Sequence, residues 1–265
     1  MRWNPGQYLA FGSERARPAL DLLARVRLDQ VETAIDLGCG AGGPLAALAR
    51  RWPEARITGL DTSAEMLAAA KKALAADLDP GALSRIDLVR GDAGTWAPDR
   101  PLDLIYSNAA LHWVDDHPAL FARLMGFLRP GGVLAVQMPR NSAEPSHTEL
   151  ADLAGEPRWR DALGPRLRPV PVAEPGDYDL WLSPFAAALD IWETIYHQRL
   201  TGERPVFEWV KGAALVPLLS ALKDEAERRA FEDAYAGRLA RAYPRRADGI
   251  TVFPFRRLFL VAVRK

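Results

Sequence analysis

The chain has 265 residues, with 34 Lys and Arg balanced against 34 Asp and Glu, so it offers no global basic field for nucleic acid and no acidic tail. That length buries a substantial core, either as one α/β domain with additions or as a domain with a small cap. Its single cysteine, Cys39, excludes an intramolecular disulfide and suits a reducing compartment. The opening residues hold no long apolar segment and no run approaches the roughly 18 residues of a membrane span, so a soluble cytoplasmic protein without membrane or nucleic-acid partners is expected.

In chain order, residues 14–25 place Ala19, Leu22 and Leu23 on one face and predict a helix whose start is tied to Trp3, Tyr8 and Phe11. Thr33 to Gly43 reads T-A-I-D-L-G-C-G-A-G-G: an apolar strand, a glycine turn and the start of a helix. Such a turn lets backbone approach a ligand and presents the unpaired N–H groups of a helix start. Cys39 reads as a small packed side chain in it. Leu45–Trp52 is expected to be helical and to stop at Pro53, and Arg56–Asp61 to be a second strand. Thr62 or Ser63 caps a helix over Ala64–Ala75. Ile86–Arg90, closing on Gly91-Asp92, and Leu102–Ser107, closing on Asn108, predict the third and fourth strands. A helix over His117–Leu128 follows, with His117 at the surface, and L-R-P-G-G turns into a fifth strand at Val133–Met138.

The alternation breaks after Asn141. Glu144–Pro175, rich in Pro, Arg and Trp, is too long for an ordinary connection and predicts a lid. Asp190–Leu200 alternates as a strand, helices are expected at Val206–Leu222 and Asp224–Tyr243, and Arg257–Arg264 reads as a final strand. The organisation expected is a core over 1–140, a cap over 141–189 and a C-terminal part over 190–265 that returns to the sheet.

Strands alternating with helices predict a parallel sheet, whose ligands sit at the carboxyl ends of the strands. Asp36, Asp61, Asp92 and Asn108 would then line one crevice. Gly38, Gly40 and Gly43 also satisfy G-x-G-x-x-G, so a dinucleotide and S-adenosylmethionine both fit the turn itself. Asp61 suits two ribose hydroxyls of either ligand, and Asp92 suits an adenine amino group. Asp36 favours an ammonium and a sulfonium and opposes a pyrophosphate. Trp96 suits either stacking near an adenine or the core, and His112 and Trp113 fit packing as well as function.

The residues D-L-G-C-G-A-G, the Asp of G-L-D, G-D-A and N-A-A-L-H-W together resemble the class I S-adenosylmethionine-dependent methyltransferases. W-N-P-G-Q-Y-L-x-F near the start, V-Q-M-P-x-N at 136–141, E-P-S-H at 144–147, Y-H-Q at 196–198 and R-L-F-L-V-A near the end extend the likeness to the trans-aconitate methyltransferase family over nearly the whole chain. The resemblance implies a Rossmann-like, seven-stranded, mostly parallel sheet with an antiparallel last strand and a small helical cap. It implies a monomeric O-methyltransferase that forms the monomethyl ester of a small polycarboxylate, with S-adenosylmethionine as cofactor. Asp36, Gly38 and Gly40 would frame the methionine part, Asp61 the ribose and Asp92 with Ala93 the adenine, with Asn108 beneath the methionine end and Tyr8 and Arg15 closing over it.

A carboxylate is already ionised at neutral pH, so no catalytic acid or base and no metal is expected. A polycarboxylate needs cations or donors, and the candidates are Arg140, Asn141, His147, Tyr196 and Arg256, with His197 and Arg204 nearby. Asn141, His147 and Tyr196 lie within the matching motifs. Where the family tends to show W-V-x-x-x-G-L-R-P, this chain has Val216 in place of the arginine, which bears on substrate choice. An NAD-dependent oxidoreductase on the same glycine turn, a methyltransferase for another small acid and a non-catalytic S-adenosylmethionine sensor are the competing readings.

Overall fold

The computed structural model describes residues 12–167, 172–211, 215–222 and 224–265; the side chains of residues 12–15, 216 and 217 are likewise outside the description. Trp3, Tyr8 and Phe11 therefore lie outside the described residues. Seven strands form one sheet in the order β3-β2-β1-β4-β5-β7-β6, comprising β1 (Thr33–Leu37), β2 (Arg56–Asp61), β3 (Ile86–Arg90), β4 (Leu102–Asn108), β5 (Leu128–Pro139), β6 (Ala186–Leu200) and β7 (Thr251–Arg264). The first five pair in parallel. β7 runs antiparallel to β5, with Gln137 opposite Phe259.

β1 and β4 are buried almost end to end, as expected of strands covered on both faces. One face carries Ile35, Ile105, Leu134, Val136, Leu258 and Leu260 into a cluster with Phe121, Leu124 and Met125 of helix α5 (His117–Gly126). On the other face Tyr106 reaches helix α1 (Gly12–Arg25), its hydroxyl donating to the Ala19 carbonyl at 2.6 Å. The helix after β1 is α2 (Gly43–Arg51), and α3 (Ala64–Asp77) starts where Ser63 Oγ accepts from the Met66 N–H at 3.2 Å.

Several elements differ from expectation: β6 begins at Ala186 and β7 at Thr251, before the Asp190 and Arg257 expected. β5 begins at Leu128, because Leu128 already pairs with Leu102 before a register shift lets Val133 pair with Leu104. Among the described residues, the span expected as a helix over 206–222 holds α-helical segments at Pro205–Val210 and Val216–Leu219.

Packing separates two units, each drawn from separated stretches. Of the described residues, those within Leu9–Pro139, Pro171–Thr194 and Arg257–Lys265 form the larger, and those within Arg140–Val170 and Ile195–Arg256 the smaller. The span 141–189, expected as a single cap, is thus shared between them. In the smaller unit, the helix Pro145–Ala154 packs on the helix Glu225–Ala242 through Tyr235, whose hydroxyl donates to the Ser146 carbonyl at 2.5 Å, and through Arg238, which meets Glu149 at 3.2 Å. Trp159 meets Phe231 edge-on, with ring centroids 5.3 Å apart.

The helix Pro175–Leu182 belongs to the larger unit because Tyr178, fully buried, packs its ring 5.1 Å from that of Phe121. Its hydroxyl lies 2.5 Å from His117 Nδ1, which corrects the expected surface position of His117: the imidazole is only 2% exposed. His117 Nε2 lies 3.1 Å from the Leu111 carbonyl, an acceptor only, so Nε2 carries the proton and Nδ1 accepts from Tyr178. The Ala173 N–H in turn donates to the Tyr178 hydroxyl at 3.3 Å. Burial holds this imidazole's pKa below its usual value, in keeping with a neutral ring. Tyr178→Phe strips the partner from both His117 Nδ1 and the Ala173 N–H and should lower stability by about 1–3 kcal/mol; urea unfolding of the variant should show a lower midpoint with an unchanged slope.

Candidate active site

The carboxyl ends of four neighbouring strands carry the predicted polar residues side by side. In the order β3, β2, β1, β4, Asp92 lies just beyond Arg90, Asp61 ends β2, Asp36 is the penultimate residue of β1 and Asn108 ends β4. Adjacent strands lie about 4.8 Å apart, so the row extends over roughly 14 Å. That is enough for an elongated nucleoside ligand.

Hydrogen bonds stitch the glycine turn to the end of β2. The Leu60 carbonyl accepts from the N–H groups of Gly38 and Cys39 at 2.7 and 3.0 Å. Asp61 accepts from the Gly40 N–H at 2.9 Å on one oxygen and from the Ser63 N–H at 2.9 Å on the other. Each of these oxygens keeps a further lone pair, so the carboxylate is fixed in place and still able to accept from a ligand. Gly38 has φ +77°, and a Cβ there would lie 2.1 Å from the Ala110 side chain. Gly40 has φ +53° and open space where a Cβ would project. One glycine admits the β4 loop against the turn; the other leaves room above it.

Asp36 is the exceptional group. It is fully buried, and among the described residues neither carboxylate oxygen has a hydrogen-bond partner. Burial, assisted by the charge of Asp61, pushes its pKa up to about 8. An ionised carboxylate without a partner is costly in such a place, and a positive charge beside it would relieve that cost. Asn108 Oδ1 is a second buried acceptor without a partner among the described residues. Cys39 is buried and its thiol pKa is raised, chiefly by desolvation, which leaves it a packed, protonated side chain.

Asp92 is exposed and its side chain accepts from the Gly94 N–H at 2.7 Å. Arg123 fastens this segment by donating to the carbonyls of Ala93 and Trp96 at 2.7 and 2.6 Å. Trp96 itself packs edge-on against Phe127, with centroids 6.2 Å apart. Arg15 lies in α1 with its side chain outside the description, and Tyr8 is outside the described residues. His112 and Trp113 form a 3₁₀ turn, with their rings 4.9 Å apart.

The predicted substrate residues all fall in the smaller unit, where four of them gather around Glu144. The Arg140 N–H donates to the Arg256 carbonyl at 3.1 Å, and the Arg256 guanidinium meets the Glu144 carboxylate at 3.5 Å. Asn141, 5% exposed, accepts from the Glu144 N–H at 3.0 Å through its carbonyl. His147 Nδ1 lies 3.1 Å from Ser146 Oγ, and burial lowers the ring's pKa. Tyr196 is buried on β6 and His197 is exposed. Arg204 pairs with Asp233 at 2.8 Å, and Lys211 with Glu232 at 3.1 Å. The Val216 side chain is not among those described.

Two residues of the β4 loop escaped the sequence reading. Ala109 adopts φ +55°, rare for a residue with a Cβ, and its N–H donates to the Gln137 carbonyl at 2.9 Å. Ala110 is the residue that makes Gly38 obligatory. Only the N-A-A spelling after Asn108 hinted at either.

A glycine turn after the first strand, a carboxylate ending the second, and a seven-stranded sheet with an antiparallel seventh strand define a class I methyltransferase fold. The description "methyltransferase domain" matches residues 34–132. Proteins named trans-aconitate 2-methyltransferase are 45% identical in Azoarcus sp. (strain BH72) over 99% of each chain, and 42% identical in Rhizobium etli over the full length of both. The chain belongs to the trans-aconitate 2-methyltransferase family. Among solved structures, a SAM-dependent methyltransferase from Thiobacillus denitrificans in complex with S-adenosyl-L-homocysteine shares the fold with a TM-score of 0.57 at 17% identity, covering both chains completely.

Asp36 should govern the pH dependence of the ligand-free protein. Its carboxyl ionises near 4 in the unfolded chain but near 8 in the fold, so between these values the folded state holds one more proton and stability falls as pH rises. His117 and His147, held below their usual values, act in the opposite direction, so the decline should appear as the difference between wild type and Asp36→Asn when unfolding is measured from pH 4 to 9.

Proposed function

We propose that this protein transfers a methyl group from S-adenosylmethionine to a carboxylate of trans-aconitate, giving a monomethyl ester. The observation that carries the cofactor half of this reading is the buried, unpartnered carboxylate of Asp36 beside the glycine turn. A cationic ligand would stabilise its ionised form, whereas a pyrophosphate would oppose that ionisation and gain nothing from it, which disfavours the dinucleotide alternative. Support for the acid comes from relatives named for trans-aconitate along the whole chain.

Asp36, Gly38 and Gly40 would hold the methionine part, with Asn108 below it and Arg15 and Tyr8 from the N-terminal segment. Asp61 would take the ribose, and Asp92, Ala93 and Trp96 would border the adenine. S-adenosylmethionine, when bound, supplies a methyl group activated by its sulfonium. The acceptor acid is ionised at neutral pH, so no side chain has to remove a proton. The residues of the chain instead align the acid, hold charge at fixed positions and keep water away, which together account for several kcal/mol of a barrier. Arg140, Asn141, His147, Tyr196 and Arg256 remain the proposed contacts to the acid in the smaller unit. The protein is read as a monomer of the reducing cytoplasm, a compartment that the free thiol of Cys39 suits. No helix among the described residues is long and apolar enough to cross a membrane.

Incubation with methyl-labelled S-adenosylmethionine and trans-aconitate should yield a labelled, base-labile ester. Absence of that product would remove trans-aconitate as substrate while leaving the cofactor assignment standing. Asp61→Ala should weaken S-adenosylmethionine binding by about 1.5–3 kcal/mol, the range for hydrogen bonds to a charged group; calorimetry showing an unchanged affinity would place the ribose elsewhere. Binding of the cationic cofactor should also expel the Asp36 proton. Titrations near pH 7 in buffers of different ionisation enthalpy should detect its release, and affinity should rise with pH up to about 8.

A further inference from the structure

The same face of the sheet that carries Asp36 continues across three more strands with polar side chains where an apolar core would be expected. Asp36 pairs with Tyr106 on β4, and Asn108, two residues further on, pairs with Gln137 on β5. Gln137 pairs with Phe259 on β7, two residues from Arg257. Paired residues share a face, as do residues two apart along a strand, so Asp36, Asn108, Gln137 and Arg257 project to one side at the same end of the sheet.

Gln137 is completely buried and Arg257 is 7% exposed. Arg257 Nη1 lies 3.3 Å from Gln137 Oε1. A guanidinium has only donors, so the amide atom facing it must be the oxygen, and the orientation of the Gln137 amide is settled by chemistry. Its Nε2 therefore points the other way, and among the described residues it has no acceptor. A buried donor left unpaired destabilises a fold unless something else accepts from it. The far side of the group is walled by Phe259, stacked on Trp192 at 4.8 Å with the rings 9° apart.

The face is thus graded, with acceptors at Asp36 and Asn108 and donors at Gln137 and Arg257. We infer that Gln137, supported by Arg257, binds a carboxylate of the acid substrate, holding it one to two strand spacings from the carboxylate reserved for the cationic cofactor. The inference rests on the proposed methyl transfer to a polycarboxylate, and both side chains belong to the larger unit. The carboxylate supplies the acceptor that Gln137 Nε2 lacks, and Arg257 polarises the amide by donating to its oxygen, making Nε2 a stronger donor. Alignment then comes from rigid strands, which hold a ligand more closely than loops.

The test is calorimetric binding of trans-aconitate to the protein saturated with S-adenosylhomocysteine, a measurement independent of turnover. Gln137→Glu keeps the shape and replaces the donor with an acceptor; Gln137→Met keeps the length and removes both. Trans-aconitate affinity should fall at least tenfold in each, further in the Glu variant, while affinity for S-adenosylhomocysteine stays within threefold of wild type. Equal trans-aconitate affinity in wild type and variants would overturn the inference and leave the functional reading intact. A parallel loss of both ligands, or loss of folding in both variants, would also overturn it, because Gln137 would then serve the cofactor site or packing. No trans-aconitate binding by the wild type would remove the functional reading and this inference together.

Discussion

Asp36 is an acid that its own fold does not satisfy. The strand bearing it is buried along its length, both neighbouring strands are parallel to it, and the charge that acts on it is that of another carboxylate, Asp61. Such a position destabilises the ligand-free state, so the surrounding structure must hold it by other means. Packing on both faces of the sheet is one. The stitching of the glycine turn to β2 through the Leu60 carbonyl and the Asp61 carboxylate is the other. Asp61 thus secures the turn, and under the proposed function it would also receive the ribose, so that disturbing it would affect both.

The turn is constrained from the opposite side by the loop after β4. Ala110 stands so close to Gly38 that no side chain fits between them, and Ala109 is held in a left-handed conformation by its bond to the β5 backbone. The strain at Ala109, of order 1 kcal/mol or more, is borne by the sheet. It sits beside Asn108, where the cofactor's methionine end and the acid would have to meet. Strain, orphaned acceptors and an orphaned donor therefore concentrate at the ends of three adjacent strands, β1, β4 and β5.

Much of this was legible in the sequence because local signals coincide with global ones. Arg56–Asp61 and Ile86–Arg90 are strands at the residues their apolar runs and polar endings indicate, and the acids that follow those runs lie side by side at the carboxyl ends of neighbouring strands. The antiparallel last strand was implied by family resemblance alone, since spacing says nothing of direction. His117 was misplaced because its burial depends on Tyr178, 61 positions away, whose helix lies in a stretch that looked like a lid. Gln137 was passed over for a related reason. A lone amide in an apolar strand carries no periodic signal, and its meaning emerges only when the register of β4, β5 and β7 sets it beside Asn108 and Arg257.

The position of β7 has a consequence for how the molecule is made. β5 is an inner strand of the finished sheet, yet its neighbour on one side is supplied by the last residues of the chain. At about 5–20 residues per second, the time between synthesis of Pro139 and of Arg257 is several seconds or more. Throughout that interval β5 has an exposed, strongly apolar edge, the kind of template that pairs with other chains. The nascent sheet cannot be completed until β7 has been synthesised, so this edge has to be sheltered in the meantime.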